Sequence, residues 1–366
     1  MTRGRFAPSP TGRMHLGNVF CALLSWLSAK SKGGEWVLRI EDLDPQRSRK
    51  EYALQLMDDL QWLGLPWDGE PVWQSQRGHI YEEYLLRLTE MGLTYPCHCT
   101  RADIMATQAP HETDGRVVYK GTCRPRTIDA IGAIGAIDSI GSIDSTIRTV
   151  PATTRLIVPD RTIPFTDGHY GPHPLNLAEH CGDYIVRRKD GAWAYQLAVV
   201  VDDALMGITE IVRGRDLLLS SPQQIHLREL LFFERKTDSF TTHHSPFNVQ
   251  HSPLTTLLSP PETGGVPQSG EGVDNSLNVQ PSTLNFFHHP LLCNAEGQRL
   301  CKRDKSMDLG YLRDKGTTPQ EIIGLLAHLA GLTDTPAPTT PAELLSFFSW
   351  DKVPTEDIIL DKQTIL

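Results

Sequence analysis

The chain has 366 residues, 39% of them hydrophobic, and a formal net charge of -9 at pH 7. This length accommodates a full catalytic core with one or two smaller units, and the composition is that of a soluble globular protein. No apolar stretch is long enough to cross a bilayer, and a motif begins at Arg5, too early for a signal peptide, so we expect a cytoplasmic protein with no membrane partner. The acidic balance argues against indiscriminate coating of nucleic acid, which depends on lysine and arginine neutralising phosphates.

The first distinctive segment is RFAPSPTGRMHLGN at residues 5–18, a loop rich in proline and glycine that leads into an apolar helical run at 19–27. The N-terminal end of a helix favours phosphate, because its backbone N–H groups are unpaired and its dipole end is positive. Gly17 lets phosphates approach the backbone, and His15 and Asn18 supply donors where charge would grow on a phosphoryl group. The segment predicts a nucleotide site, and the plain alternative is a capped surface helix.

One strand and two helices are predicted next. The apolar run WVLRI at residues 36–40 predicts a buried strand, directly followed by Glu41. Apolar residues recur at helical spacing over 51–63 and 81–91, and each run ends at a glycine. This alternation predicts an α/β fold with a Rossmann-like, doubly wound parallel sheet, and a site at the carboxyl ends of its strands.

The cysteines suggest a metal site. The total of seven, without a secretion signal, argues against a disulfide framework. Cys97, Cys99 and Cys123 place soft ligands in one loop system, which suits tetrahedral zinc, with unrelated buried cysteines as the alternative. The ordinary candidates for the fourth ligand are His98, His111 and Glu112, whereas the phenol of Tyr119 must first lose a proton. Three other cysteines are expected to be ordinary buried residues: Cys21, Cys181 and Cys293.

A second group of elements follows. The apolar runs at 184–188 and 195–201 predict strands and the start of a helix, with a hairpin signal at 189–191 between them. Two stretches fit no element. Residues 128–143 repeat an isoleucine triplet, and residues 237–282, rich in Ser, Thr, Pro, Gly and His, predict a flexible excursion. Histidines that would form a metal tract, although without fixed spacing, are His243, His244, His251, His288 and His289.

Two segments match a known pattern. PSPTGxxHxGN followed by IEDxDP resembles the first signature of class I aminoacyl-tRNA synthetases, in the glutamyl branch. YxLAVVVDD followed by GITEIVRGxDL is a second long match to that branch. The CxC and YxxxC patterns, and a remainder of only about sixty residues (307–366), make the chain similar to the glutamyl-queuosine tRNA(Asp) synthetases, a family without the anticodon-binding domain.

The resemblance implies binding of ATP and L-glutamate. Glutamate carries two carboxylates and one ammonium, so a selective site needs two cations and one anion. Arg5 and Arg213 can bind carboxylates bidentately, and Glu41 can accept the ammonium. The alternative for both arginines is a surface ion pair. Further pocket residues that the resemblance implies are Phe6, Ala7, Pro8, Ser9 and Tyr195.

The family's HIGH tetrad corresponds to residues 15–18, and the resemblance assigns His15, Gly17 and Asn18 to ATP, with His15 and Asn18 also catalytic. The second histidine of the tetrad is absent. Asn18 can donate through its amide but cannot carry a positive charge, so we expect a slower enzyme and not an inactive one.

The family's mobile lysine loop, KMSKS, has two possible registers. The first places Arg299, Leu300, Cys301 and Lys302 on its first four positions, after a predicted strand at 290–292 and a turn at 294–297. The rival covers residues 302–306 but puts an arginine where the pattern needs an apolar anchor. We prefer the first, in which Leu300 packs and the catalytic Lys302 binds ATP and stabilises the pyrophosphate leaving group. A cysteine then replaces the loop's serine, with loss of one hydroxyl donor.

The resemblance also implies cofactors and a reaction. A structural Zn²⁺ would be held by Cys97, Cys99, Tyr119 and Cys123, and Mg²⁺ would accompany ATP. The family activates glutamate without tRNA and attaches the glutamyl group to queuosine at the wobble position of tRNA(Asp); we expect a monomer. Alternatives are a truncated glutamyl-tRNA synthetase that charges tRNA(Glu), a degenerate module that only binds glutamate or RNA, and a nucleotidyltransferase for another small acid.

The sequence predicts the following division of the chain. Residues 1–94 and 181–236 form the two halves of the catalytic core, and 95–180 form a zinc-binding insertion with a low-complexity loop at 127–150. The remaining units are a flexible insertion at 237–282, the lysine-loop region at 283–306 and a short helical cap at 307–366.

Overall fold

The structure is a computed structural model, which describes residues 1–106, 118–125, 151–233, 283–300 and 307–360. The predictions for the loop at 127–150, for the excursion at 237–282 and for both registers beyond Leu300 lie outside these residues. So do those for His111, Glu112, Cys301, Lys302 and the histidines at 243, 244 and 251.

A parallel sheet forms the centre of the fold. Its strands are β1 (Arg3–Phe6), β2 (Glu35–Ile40), β3 (Val72–Trp73), β11 (Glu210–Gly214) and β12 (Asn285–His289), numbered in chain order. They pair in the order β12-β11-β1-β2-β3, and every pairing is parallel. The strand order reverses at β1, so the carboxyl ends of β1 and β11 border the crevice where ligands bind in such sheets. The predicted α/β class with a parallel sheet is confirmed.

The remaining strands form smaller sheets. They are β4 (Thr94–Cys97), β5 (Thr153–Leu156), β6 (Thr162–Ile163), β7 (Thr166–Asp167), β8 (Gly171–Pro172), β9 (Leu175–Asn176), β10 (Tyr184–Arg187), β13 (Leu292–Cys293) and β14 (Ile358–Ile359). An antiparallel sheet in the order β10-β5-β4 carries the cysteine region at the end of β4. Because β7 and β12 are in contact, Asp167 is brought beside the end of the central sheet.

The described helices are α1 (Leu16–Lys30), α2 (Lys50–Trp62), α3 (Gly78–Glu90), α4 (Arg101–Ala106), α5 (Leu177–His180), α6 (Tyr195–Leu205), α7 (Ser221–Phe232), α8 (Leu309–Asp314), α9 (Pro319–Leu329) and α10 (Pro341–Leu344). Short 3₁₀ turns cover Gln74–Gln76, Arg215–Ser220, Leu345–Phe347 and Trp350–Lys352. The predicted helices near 19–27, 51–63 and 81–91 are confirmed within a few residues. The runs at 184–188 and 195–201, expected to supply strands and the start of a helix, form β10 and α6, and the strand expected at 290–292 begins only at Leu292.

Two apolar clusters enclose the sheet. One joins α1 and the strands to α9, so the C-terminal helices pack directly on the catalytic core. The other joins α3, α6, α7 and the sheet of β5 and β10. Between them, the buried carboxylate of Asp202 accepts hydrogen bonds from Gln74 and Tyr81, both 2.8 Å, and from Arg77 at 2.6 Å. Asp202 thereby fixes α6 against α3 and the segment before it.

Candidate active site

A cavity of about 470 Å³ opens at the carboxyl ends of β1 and β11. This volume lies in the range of small-molecule sites, roughly 300–1,000 Å³. All of the sequence-predicted glutamate residues line it, namely Arg5, Phe6, Ala7, Pro8, Ser9, Glu41, Tyr195 and Arg213. His15, Gly17 and Asn18 line it as well. Residues far apart in sequence therefore meet in one place, while Lys302 lies outside the described residues.

Arg213, at the end of β11, is held on all of its guanidinium nitrogens. Its Nε donates to His288 at 3.0 Å, Nη1 to Gln224 at 2.8 Å and Nη2 to Ser221 at 2.8 Å. Two further contacts, to the Tyr195 hydroxyl and the Leu217 carbonyl, are longer at 3.4 Å. The guanidinium is only 5% exposed, so the surface ion pair considered as an alternative is excluded for this residue. A ligand carboxylate would replace the two long contacts.

Arg5 belongs to a buried charge network that the sequence analysis missed. Arg39, which is fully buried on β2, donates to Asp203 at 2.6 Å and to Glu41 at 3.1 Å. Asp203 also accepts from Nε of Arg5 at 3.4 Å, and Arg5 is 4% exposed, which excludes a surface pair here too. The signal for Arg39 was present in the sequence, since a charged residue inside a buried apolar strand requires a buried partner.

The network sets the protonation of two carboxyl groups in opposite directions. Burial would raise the pKa of Asp203, but the charges of Arg39 and Arg5 outweigh it and hold this pKa below its usual value. At Glu41, burial dominates, and the pKa is raised although Arg39 and Arg5 act in the other direction. Glu41 is thus a carboxyl group of raised basicity in a cavity with two arginines, and a ligand ammonium beside it would favour its ionised form.

His15 and Asn18 start helix α1 as a reciprocal cap. Nδ1 of His15 accepts from the N–H of Gly17 at 3.1 Å, and the amide oxygen of Asn18 accepts from the N–H of His15 at 3.1 Å. In this structure the His15 side chain therefore occupies the backbone N–H of Gly17. Since Nδ1 of a neutral His15 is an acceptor, its hydrogen is on Nε2, and Asn18 offers its amide N–H groups as donors. A side chain at position 17 would come within 3.0 Å of the His15 ring, which explains the glycine.

The lysine-loop region is anchored at both ends beside this cavity. Leu300, 2% exposed, packs in the main core and donates its N–H to Leu292 at 3.0 Å, and Arg299 pairs with Asp216. On the C-terminal side of residues 301–306, Leu309 donates its backbone N–H to the carbonyl oxygen of Met14 at 2.9 Å. The anchoring of Leu300 is what the first register expects. Cys21, expected to be an ordinary buried residue, instead lines the cavity and is half-buried.

A second cavity, of about 320 Å³, adjoins the first. The two share Ser9, Glu41 and Tyr195 as lining residues. The rest of its lining combines apolar residues with charged and aromatic side chains from the segment after β2 and from the β10–α6 turn, including Asp44, Arg47, Arg188 and Trp193. A group in this cavity would therefore face whatever is held between Glu41 and Tyr195.

The three clustered cysteines meet as expected. The sulfurs of Cys97, Cys99 and Cys123 all lie within 4.8 Å of one another. A tetrahedral zinc with bonds of about 2.3 Å to sulfur separates its sulfurs by roughly 3.7 Å, so this spacing fits the ion. Burial would raise the pKa of the Cys123 thiol, but hydrogen bonds from the His98 backbone and from the neighbouring side chains bring it to about 7.

Tyr119 is the described residue that completes this cluster. Its phenolic oxygen lies 3.3 Å from the sulfur of Cys97 and 3.8 Å from that of Cys99, and it accepts the N–H of Cys123 at 2.8 Å. The guanidinium of Arg155 stacks 3.7 Å from the centre of its ring. The alternative ligand His98 has an exposed side chain and does not join the group of potential ligand atoms found among the described residues.

Comparison with known proteins agrees with this geometry. Residues 1–252 match the family of class I tRNA synthetases (E and Q), catalytic domain. The chain is 37% identical over 98% of its length to a glutamyl-Q tRNA(Asp) synthetase from Nitratidesulfovibrio vulgaris, of which it covers 95%. It is 38% identical over its whole length to one from Symbiobacterium thermophilum, with 98% of that protein covered. A crystal structure of a glutamate tRNA ligase from Elizabethkingia meningosepticum shares the fold, with a TM-score of 0.70 and 24% identity, and 68% of it is covered.

The parallel sheet with its ligand cavity is thus the catalytic domain of a class I aminoacyl-tRNA synthetase, and the enzyme is a ligase. Within that class, the chain belongs to the glutamyl-Q tRNA(Asp) synthetase family. Among the helices that the structure describes, none has both the length and the apolar character needed to span a membrane.

Proposed function

We propose that this protein activates L-glutamate with ATP in the absence of tRNA and transfers the glutamyl group to queuosine at the wobble position of tRNA(Asp). In the first step the α-carboxylate attacks the α-phosphorus of ATP, and pyrophosphate leaves to give a glutamyl adenylate. In the second step a cyclopentene hydroxyl of queuosine attacks the acyl carbon, loses its proton, and AMP leaves. No side-chain nucleophile is needed.

One observation carries the glutamate assignment: two buried arginines and one partly buried carboxylate line the same cavity. Glutamate presents two carboxylates and one ammonium, so each charged group of the ligand finds an opposite charge. Arg5 and Arg213 bind the carboxylates and Glu41 binds the ammonium. A monocarboxylic amino acid would forgo the charge-assisted hydrogen bonds to one of the two arginines, and this loss supplies the selectivity.

The same cavity supports the ATP assignment. The N–H on Nε2 of His15 and the amide N–H groups of Asn18 contact the phosphates, and Leu217, Leu291 and Leu292 supply apolar surface for the base. In the sequence, Lys302 falls between Leu300, which lines the same cavity as His15, and Asp308, which forms a backbone bridge with His15. Its ammonium offsets charge on the leaving pyrophosphate. Mg²⁺ accompanies ATP as the usual counterion of its phosphates.

The acceptor nucleoside occupies the second cavity. Because this cavity shares Glu41 and Tyr195 with the first, a hydroxyl placed in it is directed at the activated carboxyl group. Relatives named for glutamyl-Q transfer to tRNA(Asp) are covered over 95% and 98% of their own length, which favours this acceptor over the end of tRNA(Glu). We further propose that the protein acts as a monomer.

The cysteine cluster is a structural zinc site with Cys97, Cys99, Cys123 and Tyr119 as ligands. A closed set of four leaves no position for substrate, so the ion stabilises the region between β4 and β5 and takes no part in the reaction. Zinc would supply the positive charge that a phenolate ligand needs, and the Arg155 guanidinium on the Tyr119 ring contributes in the same sense.

The test has two stages. Exchange of radiolabelled pyrophosphate into ATP is measured with glutamate and no tRNA, and glutamine and aspartate serve as controls. Radiolabelled glutamate is then offered with tRNA(Asp) containing queuosine, with the same tRNA containing guanosine at that position, and with tRNA(Glu). We expect glutamate-dependent exchange and labelling only of the queuosine-containing tRNA(Asp).

Each alternative gives a different result. Labelling of tRNA(Glu) would identify a glutamyl-tRNA synthetase, and glutamate binding without any exchange would identify a non-catalytic module. Exchange that responds to another small acid but not to glutamate would identify a nucleotidyltransferase and overturn the proposal.

A further inference from the structure

His288 and Asp167 form a buried pair behind the proposed glutamate site. His288 lies on β12 and Asp167 at the end of β7, and neither side chain is exposed or lines the cavity. Nδ1 of His288 is 2.6 Å from Oδ2 of Asp167. The opposite edge of the imidazole contacts the site, since its Nε2 is 3.0 Å from Nε of Arg213.

The hydrogen positions in the series Asp167, His288 and Arg213 follow from the chemistry of the three side chains. Burial lowers the pKa of His288 to about 4, so the ring is neutral and carries one N–H. Hydrogen bonds to Asp167 outweigh its burial and hold its pKa below the usual value, so it is a carboxylate and only accepts. The imidazole hydrogen is therefore on Nδ1, and Nε2 is a bare acceptor. Arginine keeps its proton under all working conditions, so Nε of Arg213 can only donate. Each of the two hydrogen bonds, from Arg213 to His288 and from His288 to Asp167, therefore has one donor and one acceptor.

The surroundings hold His288 in this orientation. Its backbone N–H donates to Oδ1 of Asp167 at 3.2 Å, and the same oxygen accepts the N–H groups of His169 at 3.0 Å and Tyr170 at 2.9 Å. Phe286 stacks parallel to the imidazole ring, with 5° between the planes. Neither ring nor carboxylate is free to turn.

We propose that Asp167 and His288 are positioning residues for Arg213. Asp167 sets the tautomer of His288, and the bare Nε2 of His288 fixes the Nε edge of the guanidinium, so that the Nη edge is presented to a ligand carboxylate. The proposal rests on the proposed function, because that carboxylate is taken to belong to glutamate. Neither residue touches the substrate.

Asp167→Asn is the decisive variant. The asparagine oxygen can still accept the N–H groups of His169 and Tyr170, but its amide N–H now faces Nδ1 of His288. The imidazole hydrogen must move to Nε2, where it meets the N–H of Arg213, and two donors then oppose each other. We expect the KM for glutamate to rise roughly tenfold to a hundredfold, as for loss of a hydrogen bond to a charged group, while the KM for ATP stays within about twofold.

Two more variants separate positioning from general damage. In His288→Gln the amide oxygen can accept from Arg213 while the amide N–H donates to Asp167, so we expect recovery of most of the glutamate affinity that His288→Leu loses. Asp160→Asn makes the same charge change at an exposed carboxylate and should leave both KM values unchanged. Nitrogen-15 NMR of the histidine rings reports the tautomer independently of activity, and we expect His288 to change from Nδ1–H to Nε2–H in Asp167→Asn.

Retention of the Nδ1–H tautomer in Asp167→Asn, or a changed tautomer with an unaltered KM for glutamate, would overturn the proposal. An equal rise of both KM values would show a merely structural role and overturn it as well. A wild-type enzyme without glutamate-dependent exchange would instead overturn the proposed function. In that case the NMR measurement and a titration of glutamate into both forms still decide whether Asp167 acts on the tautomer and on binding.

Discussion

Arg213 is held by neighbouring side chains before any ligand arrives, and this sets what substitution should do. Lysine at this position keeps the charge but loses the planar fork that contacts His288, Gln224 and Ser221. We expect Arg213→Lys to lower kcat/KM for glutamate-dependent pyrophosphate exchange by about a hundredfold, corresponding to about two lost hydrogen bonds to a charged group. Arg215→Lys is the matched control, because Arg215 makes only a surface pair with Asp357, and its rate should stay within about twofold. Normal exchange in Arg213→Lys would remove this residue from the site.

The assignment of Glu41 to the ligand ammonium predicts how the KM for glutamate depends on pH. Its carboxylate must be ionised to bind an ammonium, and burial raises its pKa, so the anion is lost at a higher pH than for an ordinary glutamate. The KM for glutamate should therefore rise as the pH is lowered, and this rise should begin at a higher pH than an ordinary glutamate would give. Glu41→Gln retains an acceptor for Arg39 but has no charge, and its KM should be high and nearly independent of pH. A pH profile that Glu41→Gln leaves unaltered would contradict the assignment. Glu35→Gln, at a half-exposed pair with Arg3, serves as control.

At the scale of elements, the cavities are built from segments that follow strands. The turn between β10 and α6 is an example, since it brings Arg188 and Trp193 to the second cavity. We expect Arg188→Ala to lower transfer of glutamate to tRNA about tenfold and to leave tRNA-independent pyrophosphate exchange unchanged, because the first cavity does not include this residue. Lys189→Ala removes the same charge from the same turn at a residue that lines neither cavity. Equal loss of transfer in both variants would indicate long-range attraction of RNA and not a nucleoside site.

The proposed zinc site after β4 predicts the metal content of the protein and of its cysteine variants. If three thiolates and Tyr119 hold one zinc, Cys123→Ser should reduce bound zinc from about one per chain to near zero and lower the melting temperature. Cys181→Ser, at a half-buried cysteine outside the cluster, should retain the metal. Elemental analysis of protein purified without chelator provides the measurement. Wild-type protein with no zinc would rule out this site.

At the scale of the whole molecule, two buried histidines couple stability to pH. Burial lowers the pKa of both His288 and His289 to about 4, against about 6.5 in an unfolded chain. Below pH 6.5 the unfolded chain binds protons that the native protein does not, so the free energy of unfolding falls as the pH drops from 6.5 to 4. Each histidine should contribute on the order of 3 kcal/mol to this loss. Denaturant unfolding at pH 7, 5.5 and 4.5 measures it, and His289→Asn should reduce the slope. A slope that this variant leaves unchanged would contradict the assignment.

Particular residues show most clearly which features the sequence predicts and which depend on the tertiary structure. Periodicity located α1, α2 and α3, because a helix that buries one face repeats its apolar residues at a spacing visible in the chain. It did not separate strand from helix at residues 195–201, because the buried apolar run at 197–201 has no periodicity. The proposed boundaries of the domains remain predictions.

By itself, the sequence determined the fold class, the family and the residue types that meet in the cavity, because motifs, local periodicity and charge are properties of neighbouring residues. Only the tertiary structure decided that Arg39 joins Glu41 to Asp203, that His15 occupies the N–H of Gly17, and that Asp167 and His288 support Arg213. Two of these contacts, Arg39 with Asp203 and Asp167 with His288, join residues more than a hundred positions apart. A charged residue in a buried run of the sequence implies that it has a partner. Which residue that partner is depends on which strands lie side by side in the sheet.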